Sequence, residues 1–129
     1  MLDFIVYGKP QPQGSKTAYR LPNGRTVLTE AVKGTKPWRS LVRATAMAAF
    51  DGREPSLKPI KVVVTFHFER PKSVTREAMT VKPDCDKLAR NVLDALSGMV
   101  YKDDSQVVEL VACKVYGPEA MAVISVIEL

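Results

Sequence analysis

The sequence predicts a small α+β domain: a mixed β-sheet of about four strands with two packed helices, in the order β-α-β-α-β-β. Three observations carry that prediction. Residues 61–69 alternate as a strand should, with Val62, Val64, Phe66 and Phe68 on one face and Lys61, Val63, Thr65 and His67 on the other. Two stretches, beginning near Thr35 and Asp84, place apolar residues at helical spacing behind a helix-start signal. The chain then closes with two apolar segments, 106–116 and 121–129, that read as paired strands around Gly117-Pro118-Glu119-Ala120.

A length of 129 residues fits one domain, residues 1–129, large enough to bury a core without disulfides or metals. Apolar residues make up 46% and charged residues 26%, the balance of an ordinary globular protein. No stretch approaches the length of a membrane span. The opening Met1-Leu2-Asp3-Phe4-Ile5-Val6-Tyr7 lacks a basic leader and reads as a strand, so a cytoplasmic protein is expected. Cys85 and Cys113 are too few for a zinc pattern beside a single histidine, His67. The net charge of +5 is unevenly distributed, because residues 1–50 hold eight Lys/Arg against only Asp3 and Glu30. A basic half joined to an acidic site suits a polyanionic substrate.

In chain order, residues 2–8 read as a first strand, apolar on both faces and therefore internal to its sheet. Residues 9–26 are loop-like, broken by Pro10, Pro12, Gly14, Pro22 and Gly24. They carry Lys9, Lys16, Arg20 and Arg25 around Tyr19, which makes either a basic arm for DNA phosphates or a solvated hairpin-like loop. Thr35-Lys36-Pro37 starts a helix in which Trp38, Leu41, Val42, Thr45 and Ala49 follow the apolar spacing up to Phe50-Asp51-Gly52. Trp38 reads as core, and Arg39 and Arg43 as a solvated face. A linker at 53–59 leads into the alternating strand. A second basic loop, 70–82, follows with Arg70, Lys72, Arg76 and Lys82.

Residues 82–106 are the most informative stretch, holding Asp84, Asp86, Asp94, Asp103 and Asp104, five of the fourteen acidic residues. Pro83 brings the chain in extended, Asp84 is an N-cap candidate, and Gly98 is a natural terminator. On a helical wheel Leu88, Val92, Ala95, Leu96 and Met99 form the buried arc. Lys87, Arg90, Asn91 and Asp94 fall opposite, with Asp86 beside them. If the return at 99–105 packs beside the helix start, Asp104 reaches Asp84 and Asp86. Clustered carboxylates repel one another unless a cation sits among them. Mg²⁺ is a hard ion that takes one or two carboxylates plus phosphate oxygens, and such a site suits phosphodiester hydrolysis. The plainer alternative is that Asp84 and Asp86 serve the helix start and Asp103-Asp104 is a polar turn.

The run Lys82-Pro83-Asp84-Cys85-Asp86-Lys87-Leu88, then Asp94-Ala95-Leu96, then Tyr101-Lys102-Asp103-Asp104-Ser105-Gln106-Val107 resembles the RusA family of Holliday junction resolvases. Gly8-Lys9-Pro10-Gln11-Pro12-Gln13-Gly14-Ser15 is similar to that family's opening strand and basic loop. The resemblance implies a homodimeric, Mg²⁺-dependent endodeoxyribonuclease, with Mn²⁺ as a substitute, that resolves four-way DNA junctions by paired symmetric cuts in recombination and repair. Family members are associated with phages and prophages. The resemblance assigns metal binding and catalysis to Asp84, Asp86 and Asp104, with Asp94 and Asp103 as supporting acids. The family's helix lysine falls on Arg90, which keeps the charge and binds phosphate bidentately but does not give up a proton. Asn usually follows the second Asp, where this chain has Lys87. DNA contacts are expected from Lys9, Lys16, Arg20, Arg25, Arg70, Lys72, Arg76, Lys82, Lys87 and Lys102.

Other chemistries fit less well. Leu88 and Ala89 stand where an EF-hand needs a ligand and a glycine, and no P-loop occurs. One histidine gives a Ser or Cys nucleophile little to work with. Two rivals stay open: a non-catalytic DNA-binding module of the same fold, and a metal-dependent nuclease acting on flap or single-stranded DNA.

Overall fold

The computed structural model describes the backbone of all residues but 15, 31 and 32, and the side chains of all but residues 15–19 and 27–32. Strands β1 (Leu2–Tyr7), β2 (Lys16–Arg20) and β3 (Thr26–Glu30) precede helix α1 (Thr35–Phe50). Then come β4 (Ile60–Glu69), α2 (Cys85–Leu96), β5 (Val107–Gly117) and β6 (Met121–Glu128). The main sheet has the order β1-β6-β4-β5, and β2 and β3 form a separate antiparallel hairpin. The protein is therefore the small α+β fold expected, with two helices on a four-stranded mixed sheet and the basic hairpin added between β1 and α1.

Strand β5 runs parallel to β4, and β6 runs antiparallel to both β4 and β1. A parallel neighbour needs a crossover, and α2 supplies it between β4 and β5. Residues 106–116 and 121–129 are thus both strands, but they do not pair with each other. The turn after Gly117 carries the chain across β4, and β6 takes a central place. Its inward row, Ala122, Ile124 and Val126, is fully buried. Strand β5 is left at the edge, largely exposed, so it contributes less core than its composition suggests. Strand β1 lies at the opposite edge rather than inside the sheet, and its Leu2, Phe4 and Val6 are buried while Ile5 and Tyr7 face outward.

The core lies between one sheet face and the two helices. It joins the inward rows of β1, β4 and β6 to Trp38, Val42, Ala46 and Phe50 of α1 and to Leu88, Val92, Ala95 and Leu96 of α2. Helix α1 therefore buries the 38-42-46-50 stripe, and Leu41 and Ala49 remain exposed. Arg39 and Arg43 are not a solvated face. Arg39 Nε donates to Asn91 Oδ1 at 2.9 Å, and Arg43 Nη1 donates to the Ala95 and Ser97 carbonyls at 3.1 and 3.0 Å. A guanidinium has enough donors to satisfy the open carbonyls at the end of α2 while its own helix packs alongside.

The other sheet face carries no helix. Ile5, Tyr7, Val111, Val115, Val123 and Ile127 are exposed on it. His67 lies there too, mid-strand on β4, and Gly117 sits opposite Glu69 in the neighbouring strand. A Cβ on Gly117 would stand 2.9 Å from His67 Nδ1, so this position needs glycine for contact reasons.

Candidate active site

Helix α2 begins after a cis Lys82–Pro83 peptide, with Asp84 at the N-cap in extended conformation. The Asp84 side chain makes no capping hydrogen bond, and Lys87 Nζ stands 3.9 Å from its Oδ2. The start of the helix is held from β5 instead. Lys114 Nζ donates to the Val81 and Pro83 carbonyls at 2.6 and 2.8 Å, and Cys85 Sγ donates to the Ala112 carbonyl at 3.3 Å. Lys114 drew no attention in the sequence. The available signal was a lysine in the β5 row, with Leu110, Ala112 and Tyr116, that faces the helix layer.

The far end of α2 fixes the second acidic pair. Gly98 adopts φ 78°, a left-handed turn that glycine enters without strain. Tyr101 is fully buried and donates its hydroxyl to the Leu93 carbonyl at 2.8 Å. Burial, then the nearby Asp104, Asp94 and Asp103 carboxylates, push its pKa well above the ordinary phenol value. Gln106 Nε2 donates to the Ser56 and Lys58 carbonyls at 2.8 and 3.0 Å and ties the return segment to the 53–59 linker.

Asp103 and Asp104 then part company. Asp103 caps a short 3-10 turn, Asp104–Gln106, accepting from Ser105 N at 2.9 Å, while Gln106 Oε1 accepts from Asp103 N at 2.9 Å. Hydrogen bonds from Ser105 hold the Asp103 carboxyl below the usual carboxylate value. Asp104 is left exposed and lines a cleft of about 330 Å³ with Asp86, Arg90, Leu93, Val107 and Leu110. Asp86 and Arg90 are one helical turn apart on α2, and Asp104 reaches the cleft from below β5.

Three of the residues singled out in the sequence are thereby brought together: Asp86, Arg90 and Asp104. Asp84 does not line that cleft. Asp94 is half-buried one turn beyond Arg90, close enough to Tyr101 to influence it. Among the described residues no three His, Cys, Asp or Glu side chains stand close enough to hold a metal ion together. Two free carboxylates facing one cleft still fit Mg²⁺, which completes its shell with water and phosphate oxygens.

Asn91 was placed with the exposed face of α2, but it is fully buried. Its Nδ2 donates to the Gln11 and Thr35 carbonyls, each at 3.1 Å, and its Oδ1 accepts from Arg39. A buried amide with every partner present behaves as a structural group. Gln13 N donates to the Lys87 carbonyl at 3.0 Å, so the root of the basic hairpin is fastened to α2 at two points.

The basic residues are spread around this frame. Arg20 and Arg25 are exposed at the hairpin turn, which closes through Leu21 N to the Arg25 carbonyl at 2.8 Å. The Lys16 and Tyr19 side chains lie outside the described residues. Lys72, Lys82 and Lys102 are exposed, Lys87 is half-buried, and Lys9 lines a separate hollow with Phe68, Glu69 and Ala120. Arg70 and Arg76 gather at Tyr116. His67 stands on the open sheet face, away from the acidic cleft.

The fold and cleft together define a small α+β protein with an acidic, arginine-flanked cleft beside an edge strand. The model of the family Endodeoxyribonuclease RusA matches residues 7–127, and the chain belongs to that family. It is also 32% identical over 132 residues to an uncharacterized protein of Bacillus subtilis (strain 168), YqaN, covering 92% of this chain and 89% of that one. No helix among the described residues is long and apolar enough to cross a membrane.

Proposed function

We propose that this protein is a Mg²⁺-dependent endodeoxyribonuclease that resolves four-way DNA junctions as a homodimer, through paired symmetric phosphodiester hydrolysis. The observation that carries the reading is the convergence of Asp86, Arg90 and Asp104 on one open cleft. Membership of the RusA endodeoxyribonuclease family supports DNA as substrate.

Asp86 and Asp104 would hold the Mg²⁺, or Mn²⁺ in its place; Asp84, which the family resemblance adds as a ligand, stands outside this cleft. The bound ion supplies charge for the phosphoryl oxygens and lowers the pKa of water. Arg90, with its planar fork of donors, grips the scissile phosphate and offsets charge that grows on its oxygens. A guanidinium acts here through charge and geometry. The carboxylates keep a second role, since they repel any phosphate not neutralised by Arg90 and the cation. Lys16, Arg20 and Arg25 of the hairpin, with Lys9, Lys72, Lys82, Lys87 and Lys102, contribute contacts to the DNA backbone that position it.

Paired cuts need two sites related by a two-fold axis, and the helix-free sheet face, where exposed Ile5, Tyr7, Val111, Val115, Val123 and Ile127 stand among the polar Asp3, Lys61, His67 and Glu109, is the candidate surface for a second copy. Four strands abreast measure roughly 19 by 26 Å. That footprint of roughly 500 Å² is smaller than the roughly 800 Å² per partner of a standard interface, so contacts beyond the sheet would have to complete the pairing.

The test is cleavage of a labelled four-way junction with and without Mg²⁺, beside duplex, flap and single-stranded controls. Paired nicks confined to the junction support the reading. Cutting of flaps or single strands alone would move the substrate, and binding without cutting in any metal would leave a DNA-binding module.

A further inference from the structure

At the opposite end of β5 from Asp104, two cations meet on one aromatic ring. The Arg70 guanidinium carbon lies 5.1 Å from the centroid of the Tyr116 ring, and that of Arg76 lies 6.0 Å away. Arg76 Nη2 donates to the Tyr116 hydroxyl at 3.0 Å, and Arg70 Nη2 donates to the Glu77 carbonyl at 3.3 Å. Tyr116 is itself half-buried against the core, so the ring is a fixed platform. An aromatic face attracts cations at this range, and that attraction gathers the loop arginines.

The arrangement leaves much unspent. Each guanidinium has five N–H donors, and one on each is used in the bonds above. Among the described residues neither arginine is in an ion pair, although Glu69 precedes Arg70 and Glu77 follows Arg76. Two like charges on one ring repel, and an anion between them removes the penalty. Arginine pairs presenting free forks match phosphate oxygens in geometry as well as charge.

Position gives the pair its meaning. Leu110 lines the acidic cleft, and Leu110, Ala112, Lys114 and Tyr116 share one face of β5. From Leu110 to Tyr116 is six residues, roughly 20 Å at about 3.3 Å each. That equals roughly six base pairs of duplex rise at 3.4 Å per step.

We propose that Arg70 and Arg76, assembled on Tyr116, form a phosphodiester-binding site that holds the DNA backbone about 20 Å from the acidic cleft. The proposal rests on DNA being the substrate. Tyr116 acts as a positioning residue, and the two arginines touch the phosphates.

The test measures four-way junction binding against NaCl concentration without Mg²⁺, so that cleavage plays no part. Removing two phosphate contacts should flatten the log–log salt slope by about 1.8. Arg70→Gln/Arg76→Gln is expected to show that loss. Tyr116→Phe keeps the ring but removes the acceptor of Arg76, and should flatten the slope by less than about 1. Lys58→Gln/Lys61→Gln removes equal charge from the other end of β4, where both lysines pair with glutamates, and should leave the slope unchanged. An unchanged slope in the arginine double variant overturns the site while leaving the DNA-binding reading intact. Equal flattening in the lysine double variant also overturns it, because net charge alone would then explain the effect. Wild-type protein that does not bind the junction overturns both.

Discussion

Asn91, buried in the middle of α2, donates to the backbone carbonyl of Gln11 at 3.1 Å, eighty residues away in sequence. The same amide group donates to Thr35 O at the start of α1. One side chain thus ties the root of the basic hairpin, the first helix and the acidic helix together. Gly34, just before Thr35, lies against the Gln11 side chain, where a Cβ would stand 2.7 Å from it.

Replacing Asn91 with Leu strands the Gln11 and Thr35 carbonyls and removes one acceptor of Arg39. The expected loss of stability is on the order of 2–3 kcal/mol, because buried polar groups without partners cost more than the bonds contribute. Urea unfolding of the two proteins measures it.

Asn91 is also hard to read from the sequence. Alternation in β4 and the helical stripes were legible because burial on one face leaves a period in the chain. Asn91 looked exposed because its polarity matched its neighbours on the wheel, and nothing local reveals two carbonyls arriving from distant segments. Pairing was harder still. Strands β5 and β6 follow one another with a short turn, but the α2 crossover had already placed β5 beside β4, so β6 had to cross to the other side. Within the site, spacing puts Asp86 and Arg90 on the polar face of α2 and brings Asp104 to the helix start only if the return packs there; it also groups Asp84 with them, which stands outside the cleft, and the site role of Arg90 comes from the family resemblance alone. That Asp103 caps a turn while Asp104 stays free depends on a hydrogen bond from Ser105, which spacing does not encode.

Arg90 replaces the lysine expected in this family. Arg90→Gln should lower junction cleavage by at least about a hundredfold, the usual cost of losing one donor to a charged transition state. Arg90→Lys keeps the charge and should retain most activity, because the role assigned to Arg90 is electrostatic. Single-turnover rates at saturating protein separate these outcomes from changes in binding.

Asp103 gives a pH dependence. Its folded carboxyl titrates below the ordinary value of 3.8 because Ser105 donates to it. Its contribution to stability is therefore present above that value and disappears as pH falls through the folded pKa. Asp103→Ala should melt lower than wild type at pH 7, and the difference should shrink below about pH 3.8. Thermal melts across that range check the sign.

The open sheet face should mediate pairing of two copies. Val123 lies on β6, one of the two inner strands of the sheet, and is exposed. Val123→Glu places an unpaired charge in that interface and should convert a dimer to monomer, with the monomer's fold intact by circular dichroism. Sedimentation equilibrium reads the mass directly.

The central claim is that Asp86 and Asp104 act together in one cleft. The most direct measurement is junction cleavage and junction binding by Asp86→Asn and Asp104→Asn, each beside wild type in Mg²⁺. Cleavage lost in both variants, with junction affinity retained, is the predicted result. Wild-type cleavage in either variant would contradict the assignment of these carboxylates to catalysis.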